Sequence, residues 1–220
     1  MSVRIKFTYY LDIVSSWCFY AEPMIAELRN RYAGDLDYSW KIALIEGTGV
    51  PSSREQEEWF YRRSGLIVRW PRMLNSGWFE EGLKAYLAPN LVAEAAKDFG
   101  ISDDRVRLAI ARAAMVDGKQ VGRLDVSVTV AADAAGIDPG ALAKSAGSAA
   151  IEKRVRDSTE EFHGFKVDQR PAFVLQSDIG DRAVFSGLIS EVPLIATIDA
   201  MLADSLAYQS HRAHFGSPPA

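Results

Sequence analysis

The chain has a single cysteine, Cys18, and three histidines, His163, His211 and His214, among 220 residues. One thiol cannot close an internal disulfide or build a cysteine-rich zinc or iron–sulfur site, and three scattered histidines supply a His-rich site poorly. No metal is therefore expected. Basic residues are outnumbered, 25 against 29 acidic, for a formal net charge of −4. Nucleic-acid-binding domains usually carry a basic surplus, so no nucleic-acid partner is expected. No apolar run approaches the ~18 residues that a membrane span needs. Asp12 interrupts the first apolar stretch before a signal-peptide core can form, which makes the cytoplasm the expected compartment. What the chain does have is ordinary for a folded protein. The hydrophobic fraction is 48% and the charged fraction 25%, enough for a large core in one generous domain or two small ones.

The stretch from Val3 to Val14 is rich in β-branched and aromatic residues and predicts a buried strand. Ser15 and Ser16 sit where the pattern changes, and either suits a helix N-cap. From Trp17 to Tyr32, apolar positions Phe19, Tyr20, Met24, Ile25, Leu28 and Tyr32 recur at helical spacing, with Pro23 expected to kink the helix or end its first turn. Leu36 to Ile45 reads as a second strand. Strand, helix, strand implies a parallel pair with a right-handed crossover.

Residues 54–86 concentrate aromatics among arginines. Alanine-rich helices then dominate, at roughly 90–99, 103–117, 125–135, 138–146 and 149–163, with Gly100, Gly118 and Gly136 as stops and Asp103, Asp125 and Asp138 near the starts. After them Ala172 to Gln176 and Arg182 to Ser186 read as a hairpin around the turn at 177–181. A last helix opens at Ser190 or Glu191 and runs to about Ala207. The chain thus divides into residues 1–50 with 165–210, an inserted helical block at 51–164, and a tail at 211–220 expected to be mobile.

The order βαβ, helical block, ββα resembles the DsbA-like branch of thioredoxin-fold proteins, and the motifs agree. Asp12 to Tyr20 is similar to the strand-to-helix segment that carries Cys-Pro-Trp-Cys in redox members. Gln169-Arg170-Pro171-Ala172-Phe173-Val174 resembles the family's cis-proline loop. Phe185-Ser186-Gly187 before a final helix resembles its ending, and the segment from Pro89 resembles the start of its helical domain. The resemblance implies an α/β thioredoxin-like fold with an inserted all-helical domain, and a cis bond before Pro171.

Aligned on Cys-Pro-Trp-Cys, this chain reads Ser15-Ser16-Trp17-Cys18. Dithiol exchange needs one thiolate to attack and a second thiol to resolve the mixed disulfide, and a serine hydroxyl does neither at neutral pH. FrnE-like proteins, 2-hydroxychromene-2-carboxylate isomerases and kappa-class glutathione transferases belong to the same branch. In the isomerases and kappa transferases a serine at this position binds the sulfur of glutathione. A hydroxyl at a helix N-terminus, helped by free amides and the helix dipole, suits a thiolate. The resemblance thus implies a thiol-dependent isomerase or transferase that binds glutathione or another small thiol and acts on a small hydrophobic or aromatic electrophile. Two alternatives stand beside it: a monothiol DsbA-type oxidoreductase acting through Cys18, and a non-catalytic thioredoxin-like protein that binds peptides or partners.

The expected catalytic residues are Ser15 and Cys18, although Ser15 also fits a pure cap and Cys18 a buried small hydrophobe. Ser15, Ser16, Trp17, Arg170 and Pro171 are expected at the thiol, with the Arg170 guanidinium free for a carboxylate or phosphate. Lys41, Trp59, Trp70 and Trp78 are expected at the substrate, the tryptophans walling an apolar pocket or a dimer interface. A homodimer is expected. The Ser-Asp or Gln-Asp pair that anchors the γ-glutamyl end in the relatives is replaced by Ser186-Gly187-Leu188-Ile189, leaving Glu191 as the nearest acid.

Overall fold

The structure is a computed structural model, which describes residues 4–83, 85–187 and 189–216. Its elements run β1 (Ile5–Leu11), α1 (Ser16–Arg31), β2 (Leu36–Ile42), α2 (Arg54–Ile67), α3 (Leu87–Ala96), α4 (Arg105–Met115), α5 (Leu124–Ala135), α6 (Pro139–Ala146), α7 (Ala149–Gly164), β3 (Ala172–Gln176), β4 (Arg182–Ser186) and α8 (Glu191–Phe215). The four strands form one sheet in the order β2-β1-β3-β4, with β1 parallel to β2 and antiparallel to β3, and β3 antiparallel to β4. This is the thioredoxin-like α/β arrangement, with helices α2 to α7 entering between β2 and β3.

Alternation along β1 explains the layering. Ile5, Phe7, Tyr9 and Leu11 lie on one face and join Ala21, Ile25 and Leu28 of α1 and Leu194 and Ile198 of α8 in the main core. Phe7 and Tyr9 stack on Phe173 of β3 at ring separations of 5.7 and 5.4 Å. On the other face Tyr10, Ala172 and Val174 close against Phe162 of α7. The helical block is tied to α1 by Arg107, a buried cation on α4. It donates to Glu22 at 2.5 and 3.0 Å and to Asp104 at 2.8 Å, so its charge is paired on both sides.

Three sequence expectations need correction. Helix α1 does not end at its first turn but runs on through Pro23, which sits at an exposed position. Both early strands are shorter than expected because side chains take over their backbone bonds: Val14 N donates to Asp12 Oδ1, Leu44 N to Thr159 Oγ1 and Ile45 N to Asp12 Oδ2. Helix α8 extends to Phe215, so residues 211–215, expected in the tail, are helical. Val3 and residues 217–220 lie outside the described residues. No helix among the described residues is long and apolar enough to cross a membrane.

Candidate functional site

The site grows from the turn that joins β1 to α1. Asp12 is fully buried, and its two carboxylate oxygens accept from Val14 N at 3.0 Å and Ile45 N at 2.8 Å. Ser15 N donates to Asp12 O at 3.1 Å, and Asn90 of α3 accepts from Ile13 N at 3.1 Å. The turn is thereby fixed by one carboxylate and one amide. Burial raises the Asp12 pKa against the lowering effect of these bonds.

Ser15 is the N-cap of α1. Its backbone is extended and its Oγ accepts from Cys18 N at 3.3 Å, leaving the hydroxyl proton available to donate. Only 6% of the residue is exposed. The amides of Ser16 and Trp17, first in the helix, reach no protein acceptor among the described residues. A hydroxyl and two free amides therefore converge at the positive end of the helix dipole.

Cys18 lies one turn on, 3% exposed in the main core. Burial pushes its thiol up to about 11, and the nearby Asp12 carboxyl adds to the effect. Ser15, a backbone amide and Tyr9 oppose it only in part. At neutral pH this sulfur is a protonated, inaccessible thiol, which does not suit the attacking role that a monothiol oxidoreductase requires.

Two cavities meet at Ser15. The first, about 370 Å³, is lined by Glu57, Phe60, Trp78 and Tyr86 together with Val14, Ser15, Ser16, Trp17 and Ile45. The second, about 430 Å³, runs from Ser15, Trp17 and Ile45 to Asp168, Gln169, Arg170 and Gly187. Arg63 borders both. The Arg170–Pro171 bond is cis, and Pro171 O accepts from Gly187 N at 2.8 Å.

Ser15, Ser16, Trp17, Arg170 and Trp78 are thus brought together, with Pro171 next to Arg170 in the chain; three expected residues are elsewhere. Lys41 pairs with Glu161 in a separate groove along β2. It is the register partner of Tyr10 across the sheet, and its ammonium sits 6.0 Å from that ring. Trp59 is 54% exposed on α2, its ring beside the Arg63 guanidinium. Trp70 packs on Phe19 and Tyr20, on the far flank of α1.

The guanidinium of Arg170 is not free either. It donates to the carbonyls of Ala43 (2.8 Å), Asp168 (2.8 Å) and Leu44, and lies 4.5 Å from the Phe162 ring centre. Its work is to hold the end of β2 against the proline loop. Glu191 borders neither cavity, Leu188 is outside the described residues, and the carboxylate that does reach the second cavity is Asp168.

Sequence reasoning missed Asp12, Asp168 and Glu57. The segment Ser53 to Ser64 held a signal for Glu57. Ser53 caps α2 by accepting from Gln56 N at 3.1 Å, and Glu57, Tyr61 and Ser64 then follow at spacings of four and three on one buried stripe. A carboxyl on such a stripe must have a reason to be there.

Fold and site together define a thioredoxin-fold protein with a serine cap where dithiol members carry their attacking cysteine. The chain belongs to the family of the DSBA-like thioredoxin domain, which matches residues 6–190. Among curated protein sequences none matches. Similar solved structures include a candidate protein disulfide isomerase from Nitrosomonas europaea, 20% identical, with a TM-score of 0.71 over 94% of this chain and 98% of that one. The cytosolic disulfide reductase DsbM from Pseudomonas aeruginosa, solved with GSH, is 16% identical with a TM-score of 0.64 over 94% and 99%. A 2-hydroxychromene-2-carboxylate isomerase is 13% identical with a TM-score of 0.62 over 93% and 98%.

Proposed function

We propose that this protein is a thiol-dependent isomerase or transferase that binds glutathione, or a similar small thiol, with its sulfur at Ser15. The observation that carries the reading is the convergence of the Ser15 hydroxyl with the free Ser16 and Trp17 amides where the two cavities meet. Such a tip stabilises an anion and lowers the pKa of a bound thiol from about 8.5. The second cavity supplies opposite charges, Arg63 and Asp168, suited to the carboxylates and ammonium of a peptide-like thiol. The first, lined by Phe60, Trp78 and Tyr86, suits an apolar conjugated electrophile.

The chemistry follows from the geometry. The thiolate adds to the electrophile in the first cavity, and the protein supplies orientation and charge stabilisation. Expelling the thiolate after rotation about the former double bond gives isomerisation; retaining the adduct gives transfer. Family membership and the GSH in the DsbM structure support this reading, and the buried, protonated state of Cys18 weighs against the monothiol alternative.

Calorimetric titration with glutathione is the direct test. Binding is expected for the wild-type protein and for Cys18→Ser. Ser15→Ala should slow turnover of a conjugated electrophile ~10²-fold; equal rates with and without the hydroxyl remove Ser15 from the mechanism. The homodimer belongs to the same proposal and is read by sedimentation equilibrium, a monomer contradicting it.

A further inference from the structure

Glu57 is a carboxyl in an unusual place. It is 5% exposed, lies in the first turn of α2, and lines the first cavity together with Phe60, Trp78 and Tyr86, the cavity that Ser15 also borders. No lysine, arginine or histidine among the described residues forms an ion pair with it. The titratable and charged groups around it are Tyr61 on its own helix, Tyr20 of α1, Tyr86 at the start of α3 and Arg63 on the cavity wall. The tyrosines are neutral at physiological pH. The Arg63 guanidinium lies 5.1 Å from both the Trp59 and the Phe60 ring centres. Tyr61, one helical turn on from Glu57, accepts from Trp78 Nε1 at 2.6 Å, and its hydroxyl favours the ionised form of the Glu57 carboxyl. Burial, opposed only by Tyr61, pushes Glu57 up to about 7. A capping or surface role needs none of this, since Ser53 already caps the helix.

We propose that Glu57 is the proton-bearing anchor of the apolar cavity, donating from its carboxyl to the carbonyl oxygen of a conjugated carbonyl ligand. The binding half stands without any thiol; the catalytic half rests on the thiol reading above. In that half, the thiolate lone pair forms a carbon–sulfur bond at the β-carbon of the ligand. The C=C pair moves to the adjoining C–C bond, the carbonyl π pair moves onto oxygen, and the oxygen takes the Glu57 proton. The enol adduct rotates about its new single bond. The proton then returns to Glu57, the double bonds re-form, and the thiolate leaves. Atoms, charge and electrons balance with no oxidant or reductant, and the substrate class is narrowed to apolar α,β-unsaturated carbonyl compounds.

The test uses benzylideneacetone, an aromatic enone, titrated into the whole protein without thiol between pH 6 and 8 and followed by tryptophan fluorescence, with Trp17 and Trp78 lining the cavity. The wild-type affinity should fall about tenfold across that range as Glu57 loses its proton and presents a carboxylate to the carbonyl oxygen. Glu57→Gln, nearly isosteric and still a donor, should bind independently of pH and match the wild-type affinity at pH 6. Constant wild-type affinity, or the same pH dependence in E57Q, overturns the proposal. Adding glutathione then reads the catalytic half. The enone should be consumed ~10²-fold more slowly by E57Q than by the wild type at pH 6, with glutathione affinity unchanged. Equal rates overturn the proton-transfer role. No consumption by the wild type, beside intact pH-dependent binding, supports the anchor and overturns the thiol reading.

Discussion

Ser15 and Cys18 share one turn of helix and have opposite chemical characters. The serine borders two cavities and the cysteine borders neither. Because the Cys18 thiol is buried and raised to about 11, alkylation of the native protein at neutral pH should be slower by orders of magnitude than after unfolding in denaturant. Equally fast labelling in both states would show that the sulfur is reachable. Ser15→Ala should also lose about 1 kcal/mol of stability with its cap, so its turnover is compared at a temperature well below both melting transitions. The serine at the helix start was legible because strand, serine and apolar helix follow one another in the sequence. The commitment of Arg170 was not, since its acceptors are main-chain carbonyls, those of Ala43 and Leu44 more than a hundred residues away. A side chain's type tells what it can bind, not which partner the fold brings first.

The β1–α1 turn, the end of β2 and the proline loop act as one element. Asp12 bonds the first to the second, and Arg170 bonds the second to the third. Asp12→Ala leaves the buried amide of Val14 and the half-buried amide of Ile45 without their acceptors and is expected to cost about 2–4 kcal/mol, read as a lower denaturation midpoint. A change below about 0.5 kcal/mol would mean that water or a rearranged turn replaces the carboxylate. Gly187 has φ 70, and a Cβ there would crowd the Gln169 side-chain amide. Gly187→Ala should therefore weaken thiol binding in the second cavity beyond the ~1 kcal/mol cost of a strained backbone alone. Strands, hairpin and most helices were legible from periodicity and turn residues. The three tryptophans were harder. Trp59, Trp70 and Trp78 are alike in the sequence, yet the path of α2 and the loop after it sends them to solvent, to the outer flank of α1 and to the cavity respectively. Periodicity gives the face of a helix, not what the face meets.

For the molecule as a whole, buried carboxyls set the pH dependence of stability. Native Glu57 holds its proton to about pH 7, whereas the unfolded chain releases it near 4.3. Between those values the native state binds more protons, so the unfolding free energy falls as pH rises and levels off above about 7. The loss attributable to this group is about 4 kcal/mol. Asp12, also raised, adds a loss of the same sign. Glu57→Gln should match the wild type near pH 4.5 and exceed its melting temperature at pH 8, as calorimetry would show. A wild type that gains stability across this interval relative to the variant would contradict the assignment.

In the proposed mechanism the tip of α1 holds an imported thiolate through the Ser15 hydroxyl. The most direct measurement of this is the ultraviolet titration of protein-bound glutathione, following thiolate absorbance in wild type, S15A and C18S. A bound-thiol pKa at least a unit below the free value of about 8.5 is expected in wild type and C18S, rising toward that value in S15A. An unperturbed thiol in the wild type, or one equally depressed in S15A, would contradict it.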